Sequence, residues 1–262
     1  MSTRPQAVVL FDIDGVIRDV SASYRRAIVE TVHHYAGQRP APAAIDALKS
    51  EGCWNNDWEA SLELLRRAGH TPLPAFAALV AVFETFYFGG DPEGDPSQWQ
   101  GFIGDEPLLV QPSFFAALTA ADLAYGFVSG AEPPSCRYVL ETRLGLVNPP
   151  LIAMGDTPDK PDPTGLLQLA APLAGGPLGV GAPPVVYLGD TVADVLTVQR
   201  ARAACAEQRF LSLAVAPPHL HGHPEARTTY EAKLLEAGAD AVIPSTGLLL
   251  NQLQRLDAIK VP

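Results

Sequence analysis

The chain has 262 residues, 47% of them apolar, with a formal net charge of −11. That length allows one large domain or two smaller ones with a substantial core. The acidic balance excludes a general nucleic-acid binder, which would carry a basic face, and it favours solubility.

The first element is an apolar run at 7–11, read as a short buried strand that ends in Asp12-Ile13-Asp14-Gly15. Two carboxylates two residues apart on an extended chain leave the same face. Held that close they repel, unless a cation or a proton sits between them. From 18 to 107 no strand is expected. Helical patterns lie at 23–35, 43–49, 58–68 and 74–88, followed by a Gly/Pro/Asp-rich stretch at 89–96. This region reads as a mostly helical domain, 18–107, inserted between the core segments 1–17 and 108–262.

After the insert, short apolar runs return at 123–128, 151–154, 185–188, 210–215 and 241–243. Most are continuous rather than alternating, as strands buried on both faces are. Helix-like segments at 112–121, 137–144, 164–171, 192–206, 226–237 and 247–256 lie between them, and 172–184 reads as a loop. Strand alternating with helix predicts an α/β fold, a doubly wound and mainly parallel sheet. Ligands of such sheets bind beyond the carboxyl ends of the strands. The residues expected there are Asp12 and Asp14, then Ser129 and Gly130, then Lys160 in a polar loop, then Asp190 with Asp194.

Those groups are the parts of a phosphoryl-transfer site. A carboxylate can attack phosphorus and divide hydrolysis into two easier steps. A second carboxylic acid can protonate the leaving alkoxide and later deprotonate water. Mg²⁺ prefers oxygen ligands, and a hydroxyl and a lysine can hold phosphate oxygens. Each group has a plainer reading. Asp12 and Asp14 can form a polar turn, Ser129 a turn residue, Lys160 a solvated lysine, and Asp190 or Thr191 a helix cap. An EF-hand reading fails, because Val16 and Ile17 fall where further ligands are needed.

Asp12-Ile13-Asp14-Gly15, Val128-Ser129-Gly130, Lys160-Pro161-Asp162-Pro163 and Gly189-Asp190-Thr191-Val192-Ala193-Asp194 occur in this order. In this the chain resembles the haloacid dehalogenase superfamily, specifically its phosphoglycolate-phosphatase-like branch with a helical cap after the first motif. The resemblance implies Asp12 as nucleophile and Mg²⁺ ligand, and Asp14 as general acid/base with its main-chain carbonyl on the metal. It implies Ser129 and Gly130 on a phosphate oxygen, Lys160 on both Asp12 and the phosphate, and Asp190 and Asp194 completing the metal site. Two positions depart from the common pattern: Ala131 stands where many relatives have arginine, and Val16-Ile17-Arg18-Asp19 replaces a Thr-Leu-hydrophobic-Asp tail.

In the insert, Trp54-Asn55-Asn56-Asp57-Trp58 reads either as a capped helix start or as a specificity loop in which Asn55 and Asn56 bind the leaving group. Arg18 is a candidate substrate contact, with Arg25 and Lys49 weaker ones. His219, His221 and His223 read as a polar loop, because no zinc ligand at fitting spacing completes them. Cys53, Cys136 and Cys205, odd in number and far apart, predict free thiols in a reducing compartment. No apolar run is long enough to span a bilayer, and the first is too short for a signal peptide, so the expectation is cytoplasmic, with neither nucleic acid nor membrane as partner. The expected activity is Mg²⁺-dependent hydrolysis of a small phosphomonoester through an aspartyl-phosphate. A phosphomutase of the same fold and an inactive phosphometabolite-binding protein are the alternatives.

Overall fold

The computed structural model describes residues 4–54 and 56–260. It divides into two compact units, one made of Met1–Arg18 with Leu108–Pro262 and one of Asp19–Pro107. Arg18, read with the insert from sequence, thus closes the first segment of the larger unit.

Strand β1 (Ala7–Phe11) opens the chain, and the smaller unit follows with α1 (Tyr24–Ala36), α2 (Pro42–Lys49), α3 (Asp57–Arg67) and α4 (Phe76–Tyr87). The α3 start is fixed by Asn56, whose side-chain oxygen accepts from the amides of Trp58 at 2.9 Å and Glu59 at 3.1 Å. Tyr24, Phe83 and Tyr87 form an aromatic cluster between α1 and α4. Beside it the buried Glu106 carboxylate accepts from Ser23 at 2.5 Å and Tyr87 at 3.2 Å.

The larger unit continues with α5 (Pro112–Ala120), β2 (Leu123–Val128), α6 (Pro133–Arg137), β3 (Leu151–Ile152), α7 (Thr164–Leu173) and β4 (Val185–Gly189). Then come α8 (Val192–Ala204), β5 (Phe210–Ala214), α9 (Pro224–Glu236), β6 (Ala241–Val242) and α10 (Leu249–Arg255). The strands form one parallel sheet in the order β3-β2-β1-β4-β5-β6. All five residues of β1 are buried. Ala7, Val9 and Phe11 pack into one core with residues of α5 and α10, while Val8 and Leu10 pack into the other with α7 and α8. Burial on both faces is why this strand reads as an unbroken apolar run.

Three local expectations differ from the structure. The helix expected at 137–144 starts earlier, at Pro133, and continues as a π-helix over Tyr138–Arg143, where the Leu144 amide reaches back to the Val139 carbonyl at 3.0 Å. Two prolines that suggest a break instead occupy the first turn, where no amide donor is needed. The run at 151–154 is strand only to Ile152, because the Ala153 amide bonds the Asp156 carboxylate at 2.8 Å. Pro172, assigned to a loop, lies in the last turn of α7.

Candidate active site

Chain order in the sheet reverses on either side of β1, which is the switch point where ligands of open α/β sheets bind. The residues that follow β1, β2 and β4 therefore gather at one edge. Asp12 continues β1 and its amide bonds the Leu188 carbonyl of β4 at 2.9 Å, so it lies beside Gly189 and Asp190. On the other side Ser129 follows β2, its amide on the Ile152 carbonyl at 2.9 Å.

Lys160 joins the parts. Its ammonium is buried, 3.1 Å from Asp12 Oδ2, 2.5 Å from Asp194 Oδ1 and 3.2 Å from the Tyr187 hydroxyl. The Tyr187 hydroxyl lies 2.9 Å from the Val128 carbonyl and 3.1 Å from Asp194 Oδ1, between which its single proton is shared. The other Asp194 oxygen accepts from the Asp190 amide at 3.2 Å, the Thr191 amide at 2.9 Å and the Thr191 hydroxyl at 2.7 Å. Thr191 Oγ1 in turn accepts from the Asp194 amide at 3.3 Å, closing a capping box at the start of α8. Asp194 is thus both cap and anchor for Lys160.

Asp12 Oδ1 accepts from the Ile13 amide at 2.8 Å, which fixes the carboxylate plane. Ser129 Oγ accepts from the Ala131 amide at 3.2 Å. Two glycines make the close packing possible. Gly15 has φ +74°, and a Cβ there would overlap the Asp190 carboxylate. A Cβ on Gly189 would overlap Asp194.

Asp12, Asp190 and Asp194 each place a carboxylate oxygen within 4.8 Å of the others. All three are buried, and among the described residues the Lys160 ammonium faces Asp12 and Asp194. Burial pushes Asp12 up to about 7 against the pull of Lys160, with Asp194 and Asp14 adding to the rise. Burial also holds Asp190 well above the carboxylate range, again with Asp194 and Asp12 contributing. Asp194 is drawn the other way, since its burial is outweighed by Lys160 and the Thr191 donors. Negative charge therefore exceeds local compensation, and the unmet excess lies on Asp12 and Asp190. An all-oxygen donor set with excess negative charge fits a hard divalent cation.

The other sequence candidates are placed differently. Asp14 is a quarter exposed at its side chain and receives the Arg18 guanidinium at 2.6 Å. Arg18 is buried and also bonds Ser135 Oγ at 2.7 Å, within the same unit. In the smaller unit, Asn56 caps α3, Arg25 pairs with Asp46 at 2.7 Å, and Lys49 pairs with Asp57; Asn55 lies outside the described residues. His221 bonds the Ala216 carbonyl at 2.9 Å. The three cysteines are free thiols, and burial holds that of Cys136 far above its usual range. Tyr187 was missed by the sequence reading. Its one signal is a hydroxyl-bearing residue two positions before Gly189 in an otherwise apolar strand.

A family model for haloacid dehalogenase-like hydrolases matches residues 7–202, which carry all of these motifs. The chain belongs to the haloacid dehalogenase superfamily. It is 31% identical over 256 residues to the imidazoleglycerol-phosphate dehydratase of Phytophthora nicotianae, which covers 94% of this chain and 52% of that protein. The chain therefore spans about half the length of this curated relative. A phosphonoacetaldehyde hydrolase-like protein from Oleispira antarctica shares the superfamily fold at TM-score 0.69 and 15% identity, over 98% of this chain and 94% of that one. A superfamily hydrolase from Deinococcus radiodurans, solved with bound phosphate and sodium, matches at TM-score 0.64 and 19% identity over 99% and 100% of the two chains. Among the described residues no helix is long and apolar enough to cross a membrane.

Proposed function

We propose that this chain is a Mg²⁺-dependent phosphatase of a small phosphomonoester, working through an aspartyl-phosphate on Asp12. The observation that carries the reading is Lys160 bridging Asp12 and Asp194 beside the under-compensated Asp190. Asp12 Oδ1 is held by a main-chain amide and Oδ2 by Lys160, so the carboxylate is aimed before substrate arrives.

Asp12 and Asp190 would hold the metal by their carboxylates, with Asp194 close by and the Asp14 carbonyl as the resemblance implies. Bound Mg²⁺ supplies charge compensation and polarises a phosphoryl oxygen. Ser129 donates its hydroxyl proton to a phosphate oxygen, and Lys160 offsets charge on the attacked phosphoryl group. Asp14 gives its proton to the leaving alkoxide and then takes one from water, which releases phosphate and restores Asp12. We assign this chemistry to the larger unit and substrate selection to the helical one, including Asn55 and Asn56.

Phosphate release from a panel of metabolite phosphates, run with Mg²⁺, tests the reading. The panel includes imidazole-bearing phosphomonoesters, because the Phytophthora relative is named for imidazoleglycerol phosphate. Asp12→Asn should abolish release. A phosphomutase would instead yield an isomeric ester without free phosphate. Full Mg²⁺-dependent activity in Asp12→Asn would remove the nucleophile assignment.

A further inference from the structure

A buried guanidinium sits directly on the carboxylate assigned as general acid/base. Arg18 Nε lies 2.6 Å from Asp14 Oδ1, and Arg18 Nη2 lies 2.7 Å from Ser135 Oγ. Its other terminal nitrogen faces the Ser135 carbonyl at 3.5 Å. The side chain is wholly buried, while Asp14 is a quarter exposed. Burying a guanidinium is costly unless it is paired and hydrogen-bonded, so this contact is built into the folded unit.

The main chain enforces the same arrangement. The Gly15 amide bonds the Arg18 carbonyl at 2.9 Å and the Arg18 amide reaches the Ile13 carbonyl at 3.2 Å, closing a tight loop with Asp14 inside it. Arg18 also bridges to Leu108 across the two segments of the unit, and the Val16 carbonyl accepts from Thr246 at 2.8 Å. The guanidinium therefore holds one place, and the Asp14 carboxylate, which otherwise samples several staggered rotamers, is held to it.

We infer that Arg18 is a positioning residue, anchored by Ser135, that fixes the Asp14 carboxyl for proton transfer to the leaving group. The inference rests on the proposed phosphatase reading. It replaces the expectation that Arg18 contacts substrate, because its guanidinium is engaged by Asp14 and Ser135.

The test uses leaving-group dependence. A general acid matters for a poor leaving group such as an alkyl alcohol and little for a good one such as dinitrophenolate. Acid–base catalysis is worth about 10²–10⁴-fold. Arg18→Met should lower kcat/KM, which reports transfer to Asp12 and not the later water step, by about a hundredfold on an alkyl phosphate and by less than about fivefold on dinitrophenyl phosphate. Ser135→Ala keeps the charge and removes the anchoring hydroxyl while leaving the Ser135 carbonyl, so it should show the same asymmetry at about a tenth of the size. Asp14→Asn sets the reference slope, and circular dichroism confirms that each variant is folded. If Arg18→Met does not fold, Ser135→Ala decides. Equal losses of kcat/KM on both esters, or none, while Asp14→Asn remains leaving-group dependent in kcat/KM, would overturn the positioning role and leave the phosphatase reading intact. A wild-type protein inert with Mg²⁺ on both esters and on the whole panel of metabolite phosphates would overturn that reading and this one together.

Discussion

At the scale of single residues, the site depends on one lysine serving two acids. Lys160 alone in a sequence is a surface residue by default, yet here it is buried between Asp12 and Asp194. Only its place in an ordered set of motifs made that readable. Tyr187 escaped notice because its hydroxyl lies within an apolar strand, and nothing local shows that it meets Lys160. A net hydrogen bond is worth about 1 kcal/mol, so Tyr187→Phe should cut kcat roughly three- to tenfold and leave KM within about twofold. Steady-state kinetics against the wild type checks this; an unchanged kcat would mean that Asp12 and Asp194 orient Lys160 without the Tyr187 hydroxyl.

Elements carry the next layer. The continuous apolar runs were legible as buried strands because a parallel sheet covered on both faces needs no polar side. Their ends were less legible. β3 stops at Ile152 because the Asp156 side chain takes the next amide, a bond made only after the loop folds back. The π-helix after α6 has no sequence signature that periodicity could find. The turn after β1 is more tightly specified. Gly15 combines φ +74° with a Cβ position that the Asp190 carboxylate occupies. Gly15→Ala should therefore displace Asp190 and lower kcat by on the order of a hundredfold, as misplacements near an ångström do. Wild-type activity in that variant would show that the turn tolerates a side chain and that Asp190 does not depend on it.

For the whole molecule, the acidic sheet edge links stability to metal and pH. Asp12 is held near 7 in the folded protein against 3.8 for the free side chain. Between those values the metal-free folded state binds more protons than the unfolded chain, so its stability falls as pH rises through that window. Asp194 is shifted downward and acts below 3.8, outside this window. Mg²⁺ held by ionised carboxylates opposes the loss. At one fixed concentration, about a hundredfold above its Kd at pH 7.5, it should raise Tm by roughly 5–10 °C near pH 7.5 and by clearly less near about pH 5. Thermal unfolding with Mg²⁺ and with a chelator measures both, and a shift independent of pH would mean that the cation binds elsewhere. The sheet and the order of its motifs were readable along the sequence. The fate of the insert's charged residues was not, since Arg25 and Lys49 find acids that are close only after folding.

In the proposed reaction Asp12 takes the phosphoryl group. The most direct measurement is acid-quenched rapid mixing of the protein with Mg²⁺ and a turned-over phosphomonoester, followed by peptide mass spectrometry. A transient phosphoryl adduct on Asp12 is expected, absent without Mg²⁺ and absent in Asp12→Asn. Turnover with an adduct on another residue, or phosphate release that persists in Asp12→Asn, would contradict it.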